Sequence, residues 1–170
     1  MADHLVNDLK EIRLVLFDWG DTLMRDYGVF GQMAAWEKVH VFEDVAETLD
    51  YLAKKYTLGI ATNALESNSE AVHRALNRGL IGQYFKTEHI FSAADIPWSK
   101  PRPEFYHHIL KTLSLSEAQV CMVGDSFTND VEGSSRLGIA SVWLNRGGSE
   151  VRRGPGYSTI FSLDQLKKLL

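Results

Sequence analysis

The stretch RLVLFDWGDTL, residues 13–23, decides how this chain reads. Its first half, RLVLF, is a short apolar run bounded by polar residues, the pattern of a strand buried on both faces. Its second half turns abruptly polar, so that Asp18 leaves the strand into a turn containing Gly20. Backbone of that kind is rigid and aims a carboxylate outward at whatever fills the crevice beyond the strand. An aspartate that merely braces a turn has the same local signature. The rest of the chain has to separate the two.

Three further apolar runs follow: TLGIA at 57–61, QVCMV at 119–123 and ASVWL at 140–144. Between them lie helical patterns. VFEDVAETLDYLAKK, 41–55, places Val45, Leu49 and Leu52 at helical spacing; SEAVHRALNRGL spans 69–80; PEFYHHILKTL, 103–113, opens on a helix-start proline. Strands alternating with helices predict an α/β fold, a three-layer α/β/α sandwich with a Rossmann-like, mainly parallel sheet joined by right-handed crossovers. Its ligand site belongs at the carboxyl ends of the strands, near a topological switch point. Asp18, the pair Thr62 and Asn63, and Asp125 all stand just past strand ends, and Lys100 lies in the loop WSKPRPEF before a helix.

The 170 residues, 45% hydrophobic and 24% charged, fit a single compact domain over 1–170, with no repeat or linker. Eighteen Lys and Arg against 22 Asp and Glu, with no long basic run, exclude a protein built to neutralise nucleic-acid phosphates. The lone Cys121 excludes a disulfide framework or a thiolate metal site and reads as a small core residue. The N-terminal MADHLVNDLKEIR lacks a hydrophobic signal core, and no run approaches a membrane span of roughly 18 apolar residues. The expectation is a cytoplasmic protein with no membrane association.

GDSFTND, 124–130, places Asp125 and Asp130 after another strand. Hard divalent cations such as magnesium take oxygen ligands and keep several waters, so one or two carboxylates and a substrate phosphate suffice. Asp18 and Asp125 are placed to share one ion. Asp130 reads either as part of that set or as a helix N-terminal acid favoured by the dipole. Lys100 can neutralise a carboxylate and phosphoryl oxygens together, although a lysine taken alone is usually solvated.

In combination, DWGDTL, ATNA, SKPRPEF and GDSFTND resemble, in this order, the motifs of the haloacid dehalogenase superfamily. That pattern is a strand ending in DxDxT, a strand ending in Ser or Thr, a Lys in a KPxP-like loop, and a strand ending in GD with a further Asp. The resemblance covers residues 12–145. It implies a Mg2+-dependent phosphohydrolase acting on a small-molecule phosphorylated substrate, with Asp18 attacking phosphorus to form an aspartyl-phosphate that water hydrolyses. It further implies that Thr62 and the backbone amide of Asn63 hold the phosphoryl oxygens while Lys100 orients and screens Asp18. Asp125 would ligate Mg2+ with Asp18 and the main-chain carbonyl of Gly20, with Asp130 behind them or binding through water. Asp18, Thr62 and Lys100 are then catalytic; Gly20, Thr62, Asn63 and Lys100 face substrate; Asp18, Gly20, Asp125 and Asp130 form the metal set.

One position departs from the pattern. Two past the nucleophile the phosphatases of this superfamily carry an Asp that protonates the leaving oxygen; here stands Gly20, and Thr22, four past Asp18, confirms the register. Losing a general acid costs about 10²- to 10⁴-fold, most for poor leaving groups. Acyl and aryl phosphates are therefore expected to be better substrates than sugar phosphates. Two other readings stay open: Asp21 as a displaced acid, and a phosphate- and metal-binding protein without turnover. Carbon-phosphorus and carbon-halogen hydrolases of the superfamily also lack that Asp, but they carry a sizeable helical cap. Residues 24–42 are too few for one and read as a short cap-like insert. Its Tyr27, Phe30, Met33 and Trp36 suit a lid, a contact within a homo-oligomer, or a loop packed on the core. His107 and His108 lie side by side in a helix and so point in different directions, while His73 and His89 have no ligand-spaced partner. Arg146, Arg152 and Arg153 read as a solvated loop, with attraction of an anionic substrate as the alternative.

Overall fold

The first strand, β1 (Leu14–Phe17), is buried along its whole length. In the computed structural model, which describes residues 9–170, it runs parallel to both β2 (Thr57–Thr62) and β4 (Val120–Gly124). Residues 1–8, most of the segment read for a signal core, lie outside the described residues. β3 (Ile90–Ser92) flanks β2, and β5 (Ala140–Leu144) and β6 (Tyr157–Ile160) extend the other side, giving the order β3-β2-β1-β4-β5-β6 with every pairing parallel. The chain steps from β1 outward to β2 and β3, then returns to lay β4 on the opposite side of β1. That reversal makes the carboxyl ends of β1 and β4 a topological switch point, where open α/β sheets bind ligands.

Alternation of side chains along the strands divides the core in two. Val15, Phe17, Cys121 and Val123 face one layer, where α1 (Val45–Ala53) and α2 (Ser69–Arg78) bury Val45, Leu49, Leu52, Val72 and Leu76. Leu14, Leu16, Val120 and Met122 face the other, covered by Phe105, Tyr106, Ile109 and Leu110 of α3 (Pro103–Leu113). Burial on both faces explains why the strands read as unbroken apolar runs. The three-layer sandwich is as expected, and the sheet is entirely parallel. Cys121 is buried and free, its thiol pushed up to about 12 by burial.

One expected boundary moves. The helix anticipated from residue 41 begins at Val45, because Val41 bridges Met24 and the Phe42 N–H donates to the Leu23 carbonyl at 3.2 Å. After β4 the chain forms a π-helical stretch, Phe127–Glu132, that passes into one α-helical turn, Gly133–Ser135. Among the described residues no helix is long and apolar enough to cross a membrane.

Phe105 is fully buried between α3 and the sheet. Phe105→Ala is expected to destabilise the fold by about 3–5 kcal/mol, read from urea unfolding. A loss below about 1 kcal/mol would mean that this face of the sheet is not packed as described.

Candidate active site

Asp18 continues the ladder of β1 by one bond, its N–H donating to the Val123 carbonyl at 2.8 Å, which fixes its backbone against β4. Its Oδ1 accepts from Lys100 Nζ at 2.8 Å. The same ammonium donates to Asp130 Oδ1 and to the Ala61 carbonyl, each at 2.6 Å, so its three protons all have acceptors. The Lys100 side chain is only 2% exposed, and so is not the solvated surface lysine that its sequence context alone would suggest. Burial by itself would push its pKa down, but the carboxylates of Asp18 and Asp130 outweigh it and hold the pKa above the ordinary lysine value. Asn63, at the end of β2, pins the Lys100 backbone from both sides. Its Nδ2 donates to the Lys100 carbonyl, and its Oδ1 accepts the Lys100 N–H, both at 2.8 Å.

Thr22 joins the acids. Its buried hydroxyl lies 3.3 Å from Asp18 Oδ2 and 3.1 Å from Asp125 Oδ1. Trp143 Nε1 donates to the Asp125 carbonyl at 2.8 Å and ties the end of β4 to β5. Asp130 is fully buried. Beyond its bond to Lys100, its Oδ2 accepts the Ser126 N–H at 2.9 Å. Gly124 admits that carboxylate, since any β-carbon there would collide with it. The glycine of the GD pair is thus a packing requirement.

Carboxylate oxygens of Asp18, Asp125 and Asp130 lie within 4.8 Å of one another. Burial, then the Asp18 charge and a hydrogen bond to Asp18, push Asp125 up to about 7. Burial also pushes Asp130 up to about 6, against the pull of Lys100. Three acids facing one ammonium leave the cluster short of positive charge, and oxygen donors suit a hard divalent cation. Asp130 is fully buried with both oxygens engaged by Lys100 and Ser126, whereas Asp18 and Asp125 are only partly buried, so the oxygens best placed for an entering cation belong to Asp18 and Asp125. Asp18, Gly20, Thr62, Asn63, Lys100 and Asp130 line one cleft of about 530 Å³, and Asp125 joins them through Thr22. Thr62 is buried, its hydroxyl accepting the Ala64 N–H at 3.2 Å. All seven positions singled out in the sequence therefore meet at one end of the sheet.

The cluster has supports that its motifs do not reveal. Arg146 grips Asp44 with two nitrogens, each at 2.9 Å, and donates to the Thr22 carbonyl at 3.1 Å while lying over the Phe42 ring. Burial opposes ionisation of Asp44, but the bonds from Arg146 and from the Leu163 N–H outweigh it and lower its pKa. The expectation of a solvated loop is therefore wrong for Arg146. Arg152 stays partly exposed in its loop, with one face over Phe127 and Trp143. A bidentate partner 102 residues away leaves no local trace in the sequence. The aromatic strip of 24–42 divides. Met33 is buried and Trp36 packs on the core, while Tyr27 and Phe30 stand exposed. Arg78 holds this segment through the carbonyls of Ala34, Trp36 and Glu37. Asp21 adopts a left-handed φ of 58° and does not line the cleft. The histidines form no cluster with the acids among the described residues.

A family model described as haloacid dehalogenase-like hydrolase matches residues 18–144. The chain is similar to (S)-2-haloacid dehalogenase 4A of Burkholderia cepacia, at 26% identity over 93% of this chain and 78% of the dehalogenase. It is similar to the 5-amino-6-(5-phospho-D-ribitylamino)uracil phosphatase of Escherichia coli, at 30% identity over 65% of this chain but only 43% of that protein. A putative hydrolase of Bacillus subtilis is likewise spanned over only 54% of its length. Among solved structures, a HAD phosphatase from Thermococcus onnurineus superposes with a TM-score of 0.75 at 20% identity, covering 93% of this chain and 97% of that one.

An acid whose folded pKa is raised binds its proton more tightly in the folded state. Its stabilising contribution is full below the unfolded value, about 3.9, and is lost as pH rises through the folded one, about 7 for Asp125. In chelator-treated protein the wild type should lose stability relative to Asp125→Asn as pH rises from about 4 to 7. Parallel unfolding curves for the two proteins across that range would show that Asp125 is not perturbed in this way.

Proposed function

The chain belongs to the haloacid dehalogenase-like hydrolases, and from that premise we propose that it is a magnesium-dependent phosphohydrolase working through an aspartyl-phosphate on Asp18. The observation that carries the reading is the pairing of Asp18 with buried Lys100 beside two further acids. Lys100 and Thr22 hold one oxygen each of the Asp18 carboxylate, fixing its orientation toward the cleft. That is the preorganisation a nucleophile needs. Thr62 and the Asn63 amide, at the end of β2, bind the phosphoryl oxygens. Asp18, Asp125 and the Gly20 carbonyl, with Asp130 behind them, would hold magnesium, which would supply positive charge between an anionic phosphate and a carboxylate.

Phosphate is favoured over halide as the substrate group. Displacing a halide from carbon needs no divalent cation, and although Asp130 would still hold Lys100, Asp125 beside the nucleophile would then have no cation to bind. The phosphatase relatives act, by their names, on small phosphorylated molecules. Lys100 is the one cationic side chain among the described residues lining the cleft, and Glu66 and exposed Phe30 share the lining. This lining suits a monoester or acyl phosphate whose organic part carries no second phosphate. Residues 24–42 act as a short cap-like insert on a single hydrolase domain.

An aryl phosphate tests the nucleophile without demanding a proton donor, because phenolates leave readily. The protein should hydrolyse p-nitrophenyl phosphate with magnesium and lose this with a chelator. Asp18→Asn should reduce it on the order of 10³-fold or more while circular dichroism stays unchanged. A folded wild type inactive on p-nitrophenyl phosphate, acetyl phosphate and a panel of monoesters, with or without magnesium, would leave a binding protein in place of an enzyme.

A further inference from the structure

We propose that Asp26 is the general acid and base of this cleft, delivered from the insert into contact with the position that a β-carbon at residue 20 would take. The inference rests on the phosphohydrolase reading above and adds the residue that handles the proton. A β-carbon built on Gly20 would lie 3.3 Å from Asp26 Cβ and 3.4 Å from Asp26 Oδ2. The glycine two residues past the nucleophile thus has a carboxylate packed against it from six residues further on. The turn around Asp26 is fixed. Its Oδ1 accepts the Gly28 N–H at 2.8 Å and its own N–H donates to Asp21 Oδ1 at 3.0 Å. The next backbone N–H before it, on Arg25, donates to the His40 carbonyl at 2.8 Å. One carboxylate oxygen is therefore held by the loop, and Oδ2 lies over Gly20 in the lining of the cleft.

The other acids of the cleft are committed elsewhere. Asp18 and Asp130 bind Lys100, and Asp125 accepts from Thr22. Glu66 closes the insert by accepting the Gly31 N–H at 2.8 Å. Asp21, the nearer acid in sequence, spends its Oδ1 on positioning Asp26 and stays outside the lining.

The chemistry needs such a group. As an Asp18 oxygen bonds to phosphorus, the bond from phosphorus to the leaving oxygen breaks and its electron pair goes to that oxygen, which takes the proton of Asp26. The products of this half are an alcohol, the aspartyl-phosphate and an Asp26 carboxylate. In the second half water attacks phosphorus and gives its proton to Asp26. The Asp18–phosphorus bond breaks with its pair returning to the Asp18 carboxylate, and phosphate leaves. An alkoxide, conjugate to an acid about as weak as water with a pKa near 15.7, depends on that proton; a phenolate, with a conjugate acid near 10, depends on it much less.

The test is the leaving-group dependence of Asp26→Asn, a change that keeps the Oδ1 acceptor for Gly28 and removes only the transferable proton. With magnesium, kcat/KM should fall by about 10²-fold or more on benzyl phosphate, and the ratio of benzyl to p-nitrophenyl phosphate should fall with it. Exchanging the two positions, Gly20→Asp with Asp26→Gly, should recover benzyl phosphate hydrolysis, since Gly20 does not adopt a positive φ. Equal losses on both substrates, no loss on either, or a wild type that hydrolyses p-nitrophenyl phosphate but not benzyl phosphate would each overturn the role of Asp26. The same split appearing in Glu66→Gln in place of Asp26→Asn would also overturn it. A wild type inactive on both substrates would instead overturn the phosphohydrolase reading itself.

Discussion

The Lys100 ammonium, buried between Asp18 and Asp130, is the interaction on which the rest of the site depends. Removing an ion from water costs several kcal/mol even after relaxation, so the burial is tolerable only because every N–H finds an acceptor. Those acceptors come from three parts of the chain: the end of β1, the last turns of β2 and the helical segment after β4. No one of these elements can shift without stranding a charge. The ion pair thus acts as a register pin, holding the loop before α3 over the switch point of the sheet. The Asn63 clamp and the collision-free gap at Gly124 are the local conditions that let the pin close.

The same cluster works against itself. Asp125 and Asp130 are pushed toward protonation by burial and by one another's neighbour Asp18, whereas Lys100 can satisfy only part of the negative charge. A site selected for stability alone would replace one of these acids with an apolar or amide side chain. Their retention is the kind of local frustration that marks binding or catalysis, where charge shortage becomes affinity for a cation.

The layers were legible in the sequence because burial on both faces forces continuous apolar runs, and ASVWL and PEFYHHILKTL coincide with β5 and α3. The strands that escaped notice did so for physical reasons. β3 has three residues, and β6, Tyr157–Ile160, lies at the sheet edge with its Tyr, Ser and Thr only partly buried. Neither shows enough periodicity to be separated from loop. The candidate site was legible as a set because strand ends carry its residues, so adjacency in the sheet follows from topology. Contacts made by side chains reaching across loops were not. The Asn63 side chain clamps a backbone 37 residues away, and Asp26 packs on Gly20 from a turn in which Asp21 is left-handed and accepts the Asp26 N–H.

The strands on the far side of the sheet also bear on the chemistry. Asp44, at the start of α1, receives Arg146 from the loop after β5 and the Leu163 N–H from the segment after β6. Arg146 passes that anchorage on to the Thr22 carbonyl, and the Thr22 hydroxyl touches both Asp18 and Asp125. A guanidinium fork is suited to this because its planar donors fix direction as well as distance. The turn that presents Asp18 is therefore braced from two sides: by Lys100 on its β2 flank and by the Arg146–Asp44 pair on its β5 flank. Slack in either brace would move the carboxylate proposed to meet substrate, even though Arg146 and Asp44 lie outside the lining of the cleft. Precision at the proposed nucleophile is thus a property of the whole sheet, carried to the turn after β1 by two buried or half-buried ion pairs of opposite origin.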